Sequence, residues 1–149
     1  MQSQGKNFMG EGRVFLDTNI IIYAYDISAG DKHEIAKKIM IDLWDSGSGV
    51  LSTQVLQEFF INATQKIPKP LDIELAKEIV NDFLKWDVVI NDGESILEAI
   101  EIHKKYKYSF WDSMIIMAAI SNGCVTLLSE DLSDGQNIGS VKIKNPFNR

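Results

Sequence analysis

The stretch "RVFLDTNIIIYAYD", residues 13 to 26, decides which fold the chain is expected to adopt. It begins with the short apolar run of a buried strand and continues into a run of Ile and Tyr, with three polar residues between the two. Asp17 directly follows the apolar run, so we expect it at the carboxyl end of the first strand, where open parallel sheets bind their ligands. Thr18 or Asn19 can then cap the following helix. Asp17 could instead serve only as that cap, because Asp, Thr and Asn all favour the position.

Strand-like and helix-like segments alternate along the rest of the chain. The short apolar runs "GVLS", "DVVI" and "CVTLLS" predict further buried strands, and the segments between them carry apolar residues at spacings of three and four, which is typical of amphipathic helices. This alternation predicts an α/β fold with three layers, in which helices cover both faces of a mostly parallel central sheet. The final "GSVKIKNPF" alternates in polarity and predicts an added edge strand. We expect residues 1–12 to form a flexible tail and residues 13–149 to form a single domain.

Composition limits the classes of protein that the chain can belong to. Its 149 residues include 21 acidic and 15 basic side chains, which argues against binding nucleic acid through bulk positive charge but leaves open a nuclease that binds phosphate through metal ions. No apolar run is long enough to span a membrane and no signal peptide is evident, so we expect a cytoplasmic protein. The single cysteine, Cys124, excludes an intrachain disulfide or a CxxC metal site.

Three further acidic residues lie in motifs that each have an ordinary structural explanation. Glu58, in "STQVLQEFFINATQ", borders an apolar helix face, where a solvated Glu is common. Asp112, in "YSFWDSMIIMAAISNG", follows Ser109 at the spacing of a capping box and could serve only the helix start. Asp131 comes two residues after Ser129 in "CVTLLSEDLSDGQ", a composition that is also typical of turns. No single motif therefore establishes a function.

The order of these motifs resembles the PIN domain family. The resemblance spans residue 13 to the end of the chain, and the ending from "SEDLSDGQ" to "NPF" resembles a subgroup of bacterial VapC-type toxins. It implies a ribonuclease that cuts single-stranded or loop RNA, a cognate antitoxin protein as partner and a homodimeric state. The acidic positions of the family fall on Asp17, Glu58, Asp112 and Asp131, and its supporting polar positions fall on Thr18, Asn19 and Ser129.

The chemistry of the acidic residues favours a particular class of metal. Four carboxylates around one crevice would repel one another unless a cation compensates them. They offer hard oxygen ligands without His or Cys, so Mg²⁺ or Mn²⁺ is favoured over Zn²⁺. Because no motif supplies a nucleophilic side chain, we expect activated water to hydrolyse the phosphodiester bond. In this hypothesis Asp17, Asp112 and Asp131 are the main ligands, and Glu58 orients water or a second ion.

Two further sets of residues keep alternative interpretations. Lys104, Lys105 and Lys107 run towards the helix of Asp112 and could guide phosphate to the site, or they could form a solvated helix end. Asp134 could join the metal ligands or only turn the chain.

Several other functions are compatible with parts of the sequence. A phosphatase of the haloacid-dehalogenase type needs a second Asp two residues after the first, where this chain has Asn19. A receiver-type signalling domain needs an acidic pair after its first strand, and Asp26 is too far from Asp17 to supply it. A non-catalytic PIN module and an RNA-processing PIN nuclease outside a toxin–antitoxin system remain as alternatives.

Overall fold

The computed structural model describes residues 12–148, so the predicted tail of residues 1–12 lies outside the described part except for Gly12. None of the helices in this part is long and apolar enough to cross a membrane. In chain order, the elements are β1 (Arg13–Leu16), α1 (Thr18–Tyr25), a 3-10 turn (Ile27–Ala29), α2 (Asp31–Ser46), β2 (Gly49–Ser52), α3 (Thr53–Gln65), α4 (Ile73–Phe83), β3 (Asp87–Val89), α5 (Gly93–Tyr106), α6 (Phe110–Ser121), β4 (Cys124–Leu128), β5 (Asn137–Ile138) and β6 (Val141–Lys144).

The strands of the described residues form one sheet in the order β3-β2-β1-β4-β6-β5. All neighbouring pairs are parallel except β5 with β6. Because crossovers between parallel strands are right-handed, the steps from β1 to β2 to β3 place α1 to α4 on one face, and the return to β4 places α5 and α6 on the other. The predicted three-layer α/β/α fold is therefore confirmed.

The sheet has a topological switch point between β1 and β4. These two parallel strands are direct neighbours, with Leu16 paired to Leu128, yet the chain leaves them in opposite directions across the sheet. The segment after β1 leads into α1, whereas the segment after β4 leads to β5 without a helix, and a crevice opens between them at the carboxyl edge. Asp17 follows β1 and Ser129 follows β4, so both residues lie at the base of this crevice, where both are buried.

The last strand of the described residues is not the edge strand that the sequence predicts. Strand β6 lies inside the sheet, parallel to β4, and the two-residue strand β5 forms the edge beside it. Residues 139 and 140 connect β5 to β6, and Gly139 has a φ of 58°, a backbone conformation that glycine adopts without strain. The prediction missed β5 because a two-residue strand has too few residues to show alternation.

Aromatic side chains fill the space between α2, α4 and β2. Phe83 is fully buried, with ring centroids 5.9 Å from Trp44 and 5.3 Å from Trp86. The Trp86 ring also lies against the backbone of Gly49, where a Cβ atom would come within 2.2 Å of it. Position 49 therefore requires glycine, because any side chain would displace the ring.

Candidate active site

The four predicted acids line one cleft at the carboxyl edge of the sheet, beside the switch point between β1 and β4. The cleft has a volume of about 360 Å³, and Thr18 and Asn19 line it as well. The acids differ in exposure from its floor to its rim: Asp17 is buried, Glu58 and Asp112 are half-buried, and Asp131 is exposed. The structure thus brings together residues from the turn after β1, from α3, from α6 and from the loop after β4.

Asp17 forms the floor of the cleft. Its Oδ1 accepts a hydrogen bond from the backbone N–H of Thr18 at 2.7 Å, and its Oδ2 accepts one from the Ser129 hydroxyl at 2.7 Å. Asp17 is the residue that caps α1, so the expectation that Thr18 or Asn19 caps this helix was wrong. Because the carboxylate also faces the cleft, capping and a role in the site are compatible.

The side chains of Thr18 and Asn19 hold two of the other acids instead. The Thr18 hydroxyl donates to Glu58 Oε1 at 2.6 Å, and the Asn19 amide donates to Asp131 Oδ2 at 3.1 Å. The Asn19 carbonyl oxygen accepts from the backbone N–H of Glu130 at 3.2 Å, which fixes the loop after β4. The first turn of α1 therefore orients carboxylates from two distant parts of the chain.

Helix capping places Glu58 and Asp112 close together. Ser52 caps α3, and Ser109 caps α6 by accepting a hydrogen bond from the backbone N–H of Asp112 at 3.1 Å. The Gln54 amide links the two helices, because it donates to Glu58 Oε2 at 3.1 Å and to the backbone carbonyl before Asp112 at 3.2 Å. The amino-terminal turns of both helices thus converge on the cleft.

Burial and mutual repulsion make Asp17 hard to ionise. Desolvation by burial raises the pKa of Asp17 to about 6, although hydrogen bonds from Ser129 and Thr18 oppose the rise. The nearby carboxylates of Asp112 and Glu58 raise the pKa further. A cation in the cleft would favour the charged form and offset this penalty.

Asp112 has a raised pKa for the same two reasons. Desolvation by burial is the larger cause, the Ser109 hydroxyl opposes it, and the carboxylates of Asp131 and Glu58 add to it. The electrostatic interaction between these acids agrees with their placement around a single cleft.

The donor set fits a hard divalent cation that keeps part of its water shell. Among residues 12–148, no three His, Cys, Asp or Glu side chains are close enough to hold one ion directly. Mg²⁺ is usually bound by one or two carboxylates, with waters and substrate phosphates as its other ligands. An oxygen-only cleft of this kind therefore suits Mg²⁺ or Mn²⁺ better than Zn²⁺, which is usually bound by His and Cys side chains.

Glu130 is adjacent to Asp131 but has a different environment. It accepts hydrogen bonds from the Tyr23 hydroxyl, at 2.6 Å, and from the Lys32 ammonium group. Partial burial alone would raise the pKa of Glu130, but the hydrogen bonds from Lys32 and Tyr23 hold it below its usual range. The negative charge of Glu130 is therefore compensated by Lys32, whereas the acids that line the cleft have other carboxylates as their charged neighbours.

The remaining predicted residues lie away from the cleft. Asp134 accepts hydrogen bonds from the backbone N–H of Asn145, at 2.9 Å, and from the Asn148 amide, at 3.2 Å. Its carboxylate thus joins the loop after β4 to the segment after β6. Lys104, Lys105 and Lys107 are exposed at the end of α5 and do not line the cleft.

The cleft also has lining residues that were not identified from the sequence. Asn62 and Lys66 lie four and eight residues after Glu58, and this helical spacing was the available signal. Ile22, Tyr23 and Ile67 complete this part of the wall, but their apolar character made them indistinguishable from core residues.

Comparison with known proteins gives a family and a fold. The family model for the PIN domain matches residues 14–133. No curated protein matches the sequence. A toxin–antitoxin complex from Klebsiella pneumoniae has a TM-score of 0.65 and 16% identity, with 91% of this chain and 99% of that chain covered.

Two other solved structures resemble the chain at similar levels. VapBC from Salmonella typhimurium, bound to DNA, has a TM-score of 0.61 and 19% identity, with 91% of this chain and 99% of that chain covered. VapC20 from Mycobacterium tuberculosis, a Sarcin-Ricin loop cleaving toxin, has a TM-score of 0.58 and 17% identity, with 76% of this chain and 86% of that chain covered. At these identities the solved structures show a shared fold.

Proposed function

Because the chain belongs to the PIN domain family, we propose that it is a metal-dependent endoribonuclease that hydrolyses RNA phosphodiester bonds. The observation that carries this proposal is the convergence of Asp17, Glu58, Asp112 and Asp131 on one cleft at the switch point of the sheet. Their pattern of hydrogen bonds and their mutual electrostatic interaction support a site built for a cation.

The side chains have distinct roles in this proposal. Asp17, Asp112 and Asp131 would hold Mg²⁺ or Mn²⁺, with at least one of them acting through a water ligand. When bound, the ion would polarise the scissile phosphate and lower the pKa of water. Glu58, whose two oxygens accept hydrogen bonds from Thr18 and Gln54, would orient the attacking water.

The supporting residues keep these carboxylates in place before substrate binds. The Ser129 hydroxyl donates to Asp17 and accepts from the backbone N–H of Asp131 at 3.2 Å, so it couples the floor of the cleft to its rim. Asn19 fixes the same rim from α1. Fixed carboxylates lower the reorganisation that the reaction requires.

We further propose that the protein is the toxin of a toxin–antitoxin pair, acts on RNA in the cytoplasm and forms a homodimer. The similar solved structures from Klebsiella and Salmonella, which contain toxin–antitoxin complexes, support the antitoxin partner. An apolar groove between α3 and α4, lined by Leu56, Phe60, Ile61 and Val80, offers surface for such a partner. Co-purification with the product of a small adjacent gene would support the pair, and its failure would favour an RNA-processing nuclease.

Cleavage of a mixed set of labelled RNAs in Mg²⁺, Mn²⁺ or EDTA tests the nuclease activity. The wild-type protein should cut in either metal and not in EDTA, and Asp112→Asn should abolish cutting. Asp45→Asn removes the same charge from an exposed position at the end of α2 and should cut like the wild type. Cutting that persists in EDTA or in Asp112→Asn would contradict the proposal. Absence of metal binding by calorimetry would favour the non-catalytic module.

A further inference from the structure

The cleft continues past the acids along α1 and α3, where its walls are no longer acidic. On the α3 side, Asn62 and Lys66 follow Glu58 at intervals of four residues and so lie on the same face of the helix. Eight residues along a helix correspond to roughly 12 Å. A bound strand could therefore contact the acids at one point and Lys66 at another.

Lys66 differs from the other residues of the cleft in charge. Among residues 12–148 it is the one basic residue that lines the cleft, and it forms no salt bridge or side-chain hydrogen bond with another residue in that range. Lys32, near the rim, is in contrast bound to Glu130. Lys66 thus presents an uncompensated positive charge to a cleft that otherwise carries carboxylates.

We propose that Lys66, with the amide of Asn62 beside it, binds a backbone phosphate of the RNA strand next to the phosphate that is cleaved. This inference rests on the proposed function. A polyanion that approaches the four acids is repelled by them, and phosphate contacts made away from the reacting bond fix the position and register of a strand. Lys and Asn side chains are common donors to phosphate oxygens.

A purely structural role for Lys66 makes a different prediction. Lys66 caps the carboxyl end of α3, where its backbone N–H donates to the Asn62 carbonyl at 2.8 Å and its positive charge complements the helix dipole. Loss of that charge alone would slightly lower thermal stability. It would not change how RNA binding depends on salt concentration.

Steady-state cleavage by Lys66→Met, at several salt concentrations, distinguishes the two roles. The matched control is Lys37→Met, which removes the same charge from an exposed position on α2 outside the cleft lining. Lys66→Met should raise KM for an oligoribonucleotide roughly tenfold. It should leave kcat nearly unchanged and make the slope of log(kcat/KM) against log[salt] shallower by about 0.7.

Two further measurements keep the test decisive. A dinucleoside monophosphate contains only the scissile phosphate, so Lys66→Met and the wild type should cleave it equally. Lys66→Arg, which keeps the charge, should restore the wild-type salt slope. Equal KM values and slopes for Lys66→Met and Lys37→Met would overturn the inference while the nuclease activity stands. If the wild type cleaves no RNA in either metal, the proposed function itself fails and the inference fails with it.

Discussion

Replacement of Asp17 by Asn should stabilise the metal-free protein at neutral pH. Asp17 is only 6% exposed, and its pKa of about 6 lies above the ordinary value of 3.8. The folded state therefore binds this proton more tightly than the unfolded state, and unfolding releases it. Stability consequently falls as pH rises from about 4 to about 6, and above that range the ionised carboxylate costs the folded state about 3 kcal/mol.

The Asn side chain removes the charge but keeps most of the hydrogen bonds. Its oxygen can still accept from the backbone N–H of Thr18, and its amide can donate to the Ser129 hydroxyl, which now donates to Asp17. That hydroxyl must then find another acceptor, which reduces the gain. We expect Asp17→Asn to raise the free energy of unfolding by about 1–3 kcal/mol at pH 7.5.

Urea unfolding in EDTA, followed by circular dichroism from pH 4 to pH 8, measures this difference. The advantage of Asp17→Asn should be absent near pH 4 and reach a plateau above pH 6. Asp134→Asn is the control, because hydrogen bonds from Asn145 and Asn148 lower the pKa of Asp134, so its replacement should not stabilise the protein. An Asp17→Asn variant that is no more stable than the wild type at pH 7.5 would refute the reasoning.

Further predictions concern the core and the cation. Gly49→Ala should lower the free energy of unfolding by about 1–3 kcal/mol because its Cβ would clash with Trp86, whereas Gly93→Ala, which faces open space, should leave it unchanged or slightly higher. Equal urea midpoints for the two variants would contradict the close contact. Phe83→Ala should cost about 3–5 kcal/mol in the same assay, and a loss below 1 kcal/mol would mean that the aromatic cluster repacks. Mn²⁺ at a concentration about 100 times its Kd for the wild type should stabilise the wild type by about 2.7 kcal/mol. The same concentration should stabilise Asp112→Asn by less, as measured by thermal melting, and identical shifts would place the ion elsewhere.

The parts of the fold and site that follow from local signals were predictable. Asp17 could be placed at a strand end because an apolar run directly precedes it. Ser109 could be recognised as a helix cap because a cap and the N–H that it binds lie within one turn of each other. These signals were sufficient to predict the alternation of strands and helices and to place Asp17 and Asp131 at strand ends, whereas Glu58 was assigned only by the resemblance to the PIN domain family.

The contacts that join distant parts of the chain could not be read from the sequence. Thr18 was expected at a helix cap, yet its hydroxyl binds Glu58, 40 residues away, and Asn19 binds Asp131, 112 residues away. Nothing in the residues near Thr18 indicates which distant carboxylate it meets. Lys66 was missed for a related reason. An exposed lysine near a helix end is common, and only the three-dimensional structure shows that this one lines the cleft together with residues of α1.

The central position of β1 has a consequence for synthesis of the chain. Strand β1 is made first, but its neighbour β4 and the adjoining Asp131 are made more than 100 residues later. A nascent chain on the ribosome therefore has one side of β1 unpaired and only part of its acidic cleft until nearly all of the domain has emerged. The acidic cleft is therefore complete only after Asp131 has been synthesised, so the activity proposed for it would appear late in the synthesis of the chain.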